Sequence, residues 1–108
     1  MNKFEYGNTL RVDANEDITT DTLILTLTSL KPPTAKELTI IAPDLVIGGA
    51  TVVIDDHTYT AGEYVEYVFK EGDMSIDGTW RARLFRQNAG GTRCEITDYN
   101  ALLYVVDP

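Results

Sequence analysis

One cysteine, one histidine and one tryptophan are all that this 108-residue chain holds of three residues often recruited for chemistry or for a core. A lone Cys94 closes no disulfide within the chain. Small secreted domains usually hold several, so synthesis in a reducing cytoplasm is expected. With His57 as the sole imidazole and no Gly-x-Ser-x-Gly, neither a His-rich metal centre nor a serine nucleophile is marked. The longest apolar run, Ala101 to Val106, is six residues, where a helical membrane span takes about 20. No membrane partner is expected. The opening Met-Asn-Lys-Phe-Glu-Tyr-Gly lacks the apolar stretch of a signal peptide. Basic residues are scarce as well: 9 Lys and Arg stand against 17 Asp and Glu, a net charge of −8. Phosphate repels such a surface, so nucleic acid is not expected as a partner.

What remains is the composition of an ordinary globular protein, 44% hydrophobic and 24% charged, with no internal repeat or linker. A single domain over residues 1–108 is expected. Helical periodicity is nearly absent, and alternation broken every 8 to 12 residues by turn residues takes its place. Strands are predicted over 8–13, 22–29, 37–42, 45–47, 51–55, 64–69, 79–86, 93–97 and 101–106, the last two counted as one or two. Residues 14–21 read as a polar loop. In the second strand Leu23, Leu25 and Leu27 share one face and Thr22, Ile24, Thr26 and Thr28 the other. The strand over 79–86 turns Trp80, Ala82 and Leu84 inward and Arg81, Arg83 and Phe85 outward. Seven to nine short strands in so few residues point to an all-β fold, an immunoglobulin-like antiparallel β-sandwich, with a small closed barrel as the alternative. The expected core is Leu23, Leu25, Leu27, Leu38, Ile40, Val65, Tyr67, Phe69, Trp80, Ala82, Leu84 and Ile96.

The most specific stretch runs from Lys70 to Arg81. Immunoglobulin-like sandwiches cross between sheets through a loop ending in Asp-x-Gly-x-Tyr, and Asp77-Gly78-Thr79-Trp80 has nearly that form with tryptophan in the aromatic place. Met74 is expected to plug the loop into the core and Gly78 to supply the unusual backbone angle. Together with Gly7-Asn8-Thr9-Leu10, Thr22-Leu23-Ile24-Leu25, Gly62 to Tyr67 and Gly72-Asp73-Met74, this corner resembles the small immunoglobulin-like domains of tailed-bacteriophage structural proteins, such as the amino-terminal domain of baseplate upper proteins. The resemblance implies a non-enzymatic structural protein of the virion that docks onto other virion proteins at the tail, neck or baseplate, in multiple copies. It implies localisation in the virion after synthesis in a bacterial cytoplasm. Capsid decoration is an alternative within the same class.

Charge distribution suggests where docking occurs. Between Gly78 and Cys94 there is no acid, and Arg81, Arg83, Arg86 and Arg93 all fall there; the remainder carries five bases and all seventeen acids. Like charges crowded on one sheet face repel unless acids meet them. Those acids belong either to a partner, which makes Arg81, Arg83, Arg86 and Arg93 a protein interface, or to the same chain, with Glu66 and Glu95 as the candidates. Six tyrosines (Tyr6, Tyr59, Tyr64, Tyr67, Tyr99 and Tyr104) raise a rival from another class, a carbohydrate-binding module stacking a glycan on exposed rings. Asp55-Asp56-His57 reads as a solvated turn and Cys94 as a small buried hydrophobe beside Ile96. Catalytic, cofactor and metal residues are not expected.

Overall fold

The computed structural model describes residues 1–31, 36–96 and 101–106, with 101 and 102 described by their backbone alone. The described residues form ten strands and no helix: β1 (Thr9–Asp13), β2 (Thr22–Ser29), β3 (Glu37–Ile40), β4 (Val46–Ile47), β5 (Val52–Ile54), β6 (His57–Tyr59), β7 (Tyr64–Val68), β8 (Gly78–Gln87), β9 (Arg93–Glu95) and β10 (Ala101–Val105). β1, β7 and β4 pair in that order in one sheet. A larger sheet has the order β10-β8-β2-β3, with β9 also on β8. β5 and β6 form a separate hairpin. Every pairing between named strands is antiparallel.

The long β2–β8 ladder organises the larger sheet, running from Thr22 opposite Gln87 to Ser29 opposite Trp80. β2 is built of leucine, isoleucine and threonine, whose branched or bulky side chains suit a pleated surface. Leu25, Leu27, Trp80 and Leu84 are wholly buried on one face of this ladder. Val12, Val65 and Tyr67 reach the same apolar cluster from the smaller sheet. Met74 and Ile18 close it, both fully buried. Met74 thus plugs the loop before β8 as expected. Ile18 is an apolar peg in a stretch that reads as polar, tied down by its N–H on the Gly62 carbonyl at 3.0 Å.

The crossing before β8 holds together through short-range bonds. The Trp80 indole N–H donates to the Ile76 carbonyl at 2.9 Å, and Gly78 adopts φ of 106°, a region that glycine enters without steric cost. The Tyr67 hydroxyl donates to Asp73, whose carboxylate also accepts the Lys70 N–H. The Lys36 ammonium reaches in from the start of β3 and donates to the carbonyls of Gly72 and Asp73 and to Ser75 Oγ.

Several sequence expectations need correction. Val52–Tyr59 is two strands turning at Asp55 and Asp56, both at positive φ, which raises the number to ten. β3 ends at Ile40, two residues early, because the chain leaves for the smaller sheet. Leu38 and Ile96 are only partly buried against the core. Cys94 is exposed, as is all of β9, since that strand pairs only with the far end of β8. Ile24 and Thr26, on the threonine face of β2, are buried. Tyr64 is buried too, with its hydroxyl on the Ala50 carbonyl at 2.6 Å and the Tyr59 ring 5.5 Å away.

Candidate functional site

The outer face of the larger sheet is laid out in rows by strand register. Glu37, Thr28 and Arg81 form one row, Thr39, Thr26 and Arg83 the next, and Ile24, Phe85 and Glu95 a third. Thr22, Gln87 and Arg93 form the last. Arg81, Arg83 and Phe85 are each half-buried although nothing of the other sheet lies above them. Phe85 stands opposite the buried Ile24 and Arg83 opposite the buried Thr26 in register, and long side chains on a sheet shield such neighbours from solvent. The Arg83 guanidinium carbon stands 5.0 Å from the centre of the Phe85 ring, a cation–π distance.

The four arginines are not one cluster. Arg83 is held by Glu95 through two parallel bonds, Nε to Oε1 at 3.1 Å and Nη2 to Oε2 at 2.8 Å. That fork keeps the Glu95 carboxyl below its ordinary range. Arg86 has the opposite parity, facing Leu23 and Cys94 in register, and bonds Asp21 at 2.8 Å and Glu16 at 3.0 Å in the loop over residues 14–21. Its even spacing from Trp80, Ala82 and Leu84 was the sequence signal that separated it from Arg81 and Arg83. Arg93 sits exposed beyond the turn. Glu66, the other acid considered as a partner, bonds Arg11 at 3.2 Å on the smaller sheet.

Arg81 is different in kind. Its Nε is buried and has no hydrogen-bond partner among the described residues, and it takes part in none of the salt bridges among them. An unpaired buried donor costs about 1 to 3 kcal/mol. Next to this face, beyond the end of β3, lies an open groove of about 370 Å³ lined by Ile24, Ile41, Ala42, Leu45 and Ile47, with Asp21 and Gln87 at its polar side. Ile41 is 55% exposed there. The groove was not anticipated, since it exists only because β3 stops short of pairing with Thr22, Leu23 and Ile24.

The aromatic residues divide between core and surface. Tyr64 and Tyr67 are buried, Tyr59 is half-buried against Tyr64, and Tyr6 and Tyr104 are exposed at 59% and 61%. Tyr99 lies outside the described residues. His57 meets neither Asp55 nor Asp56. Its Nε2 is 2.9 Å from Asp13 Oδ2, which ties the β5–β6 hairpin to β1. No group of three or more His, Cys, Asp or Glu suited to a metal ion occurs among the described residues. No protein-family model, curated protein or solved structure matches the chain.

Proposed function

We propose that this chain is a non-enzymatic docking domain whose outer β8–β2 face binds an acidic surface on another protein. Arg81 carries the reading. Arg83 and Arg86 must give up carboxylates of their own chain to bind a partner, whereas Arg81 has no salt bridge to give up among the described residues. Further along the same face Phe85 lies against the Arg83 guanidinium, and the apolar groove lies at the far end, so the face suits a partner that offers carboxylates and apolar side chains along its length.

The fold supports an immunoglobulin-like sandwich. The orders β1-β7-β4 and β3-β2-β8-β10 correspond to strands B-E-D and C′-C-F-G of that topology. The bond from Trp80 to Ile76 does the work of the corner tyrosine. On this fold the motifs resembling domains of tailed-phage structural proteins suggest the setting, a virion protein at the tail, neck or baseplate whose partner is a neighbouring virion protein. Capsid decoration is the variant of this proposal with a higher copy number.

The test pairs a count with a substitution. Quantitative mass spectrometry of purified particles should find this chain at a few to some tens of copies, and hundreds would move it to the capsid. Arg81→Glu should fold normally and drop out of particles, while Arg81→Met, which keeps the stem over the sheet, should be retained only weakly. Absence of the wild-type chain from particles, or normal incorporation of Arg81→Glu, defeats the proposal.

A further inference from the structure

Residues 1–3 run beside β10, through a parallel bridge between Asn2 and Val106, and leave β1 with β7 as its only neighbour among the described residues. Two bonds at the ends of the β1–β7 pairing fix which backbone groups are used. Phe69 N–H donates to the Asn8 carbonyl at 2.9 Å and Ala14 N–H to the Glu63 carbonyl at 2.8 Å. Hydrogen-bonded pairs alternate along an antiparallel ladder, so Leu10 and Val12 turn their backbone toward β7. The N–H and C=O of Thr9, Arg11 and Asp13 point the other way. Among the described residues no backbone hydrogen bond reaches them.

Natural sheets blunt such edges with proline, lysine, bulges or brevity. β4 is two residues long, β3 is four and follows Lys36, and the end of β10 is covered by residues 1–3. β1 has five residues, Thr-Leu-Arg-Val-Asp, with no proline, lysine or bulge, and the charges of Arg11 and Asp13 are what it sets at the edge. Its charges are self-complementary. If two β1 strands lie antiparallel about a two-fold axis at Val12, Arg11 of one copy stands opposite Asp13 of the other, twice. Both residues turn their backbone groups to the edge, so each pair exchanges both N–H···O bonds. Moving the axis to Arg11 sets arginine against arginine, and moving it to Asp13 sets aspartate against aspartate, arrangements that like charge disfavours. In the favoured register Glu66, Arg11 and the second copy's Asp13 follow one another across the joined sheet with alternating sign, extending the Arg11–Glu66 contact within each chain, while that Asp13 keeps its own contacts with Asn15 N–H and His57.

From this we infer that β1 is a self-association edge: two copies of this chain join through antiparallel β1–β1 pairing centred on Val12, making one six-stranded sheet from two three-stranded ones. The contact is isologous and closes at two copies. It leaves the arginine face of each copy free.

Sedimentation equilibrium of the whole chain over a range of concentrations, with reductant present so that the exposed Cys94 forms no disulfide, should fit a monomer–dimer equilibrium. Amide exchange should slow with concentration at Arg11 and Asp13 and stay constant at Leu10 and Val12, a readout that needs no variant. Arg11→Asp should abolish the dimer, and Asp13→Asn, which keeps its bond to His57, should weaken it several-fold. Arg81→Glu should leave it intact. A chain that stays monomeric at every concentration overturns the inference. So does a dimer that survives Arg11→Asp, one that Arg81→Glu dissolves, or one in which the Arg11 and Asp13 amides gain no protection.

Discussion

Trp80 sits wholly buried where β8 begins, and its indole N–H has the Ile76 carbonyl as partner. Trp80→Ala should cost about 3 to 5 kcal/mol by chemical denaturation, the range for emptying a large aromatic site. Trp80→Phe should cost clearly less, because it retains most of the volume and gives up the bond. A loss below about 1 kcal/mol for the alanine variant contradicts the corner described here. Gly48 is a sharper case. Its own side is closed by the Tyr64 ring, so a Cβ placed there collides with the ring atoms. Gly48→Ala should therefore expel Tyr64 and destabilise the domain by about 1 to 3 kcal/mol, as overpacking does, whereas Gly49→Ala next door, with open space around it, should be tolerated. Of these two residues the sequence announces only one: a lone tryptophan in an alternating strand reads as core, while Gly48-Gly49 reads as a turn and gives no hint that one glycine lies under a ring.

Among the elements, the β5–β6 hairpin is attached most lightly. It pairs with no other strand among the described residues and is held by the His57–Asp13 contact, by Tyr59 against Tyr64, and by the Ala61 N–H on Thr51 Oγ1. Val53, 65% exposed, lies on its free side. His57→Ala should accelerate amide exchange in residues 52–59 by several-fold up to roughly tenfold, since one such hydrogen bond nets about 1 kcal/mol. Exchange in β2 and β8 should be unchanged. Equal acceleration in all three would show that the hairpin opens only with the whole domain. The strands themselves were largely legible: alternation placed β2, β7 and β8 within a residue or two and assigned Trp80, Ala82 and Leu84 to the inside. Alternation assigns a side chain to a face but not what lies over that face. Tyr64 has the same parity as the half-buried Glu66 and the exposed Val68 and is buried because the hairpin covers it. Cys94 alternates like a core residue and is exposed because the sheet opposite has ended. The candidate site was legible to the same extent. Arg81 and Arg83 share their expected face, but which acid holds which arginine depends on β9 and on the loop over 14–21, contacts remote from any local pattern.

At the scale of the molecule, paired ionisable groups set the pH limits of stability. Asp17 is held below the ordinary carboxyl range by the Thr19 backbone N–H and then its hydroxyl, Asp77 by the Lys31 ammonium, and Glu95 by Arg83. A carboxyl whose folded value is depressed contributes stability above its unfolded value, about 4, and loses it as pH falls through the folded one. Tyr67 is displaced the other way, upward, by burial and then by its bond to Asp73. Its contribution is complete below the unfolded value of about 10 and fades as pH rises past it. Thermal melts should therefore show a plateau between about pH 5 and 9 with a fall on each side. Tyr67→Phe should soften the alkaline fall and leave the acid one in place. An alkaline fall identical in wild type and Tyr67→Phe would assign it to other groups. The short run of residues 1–3 along β10 has a consequence of a mechanical sort. Met1 N donates to the Tyr104 carbonyl at 3.0 Å, Lys3 N–H to the Val106 carbonyl at 2.7 Å, and Val106 N–H to the Met1 carbonyl at 2.9 Å, with the two segments running in the same direction. Tension drawing Met1 and Val106 apart along the chain slides these segments lengthwise past each other. All three bonds then take the load together instead of parting in sequence like a zipper, so this small patch is the clasp that must tear before the sheets behind it feel the pull.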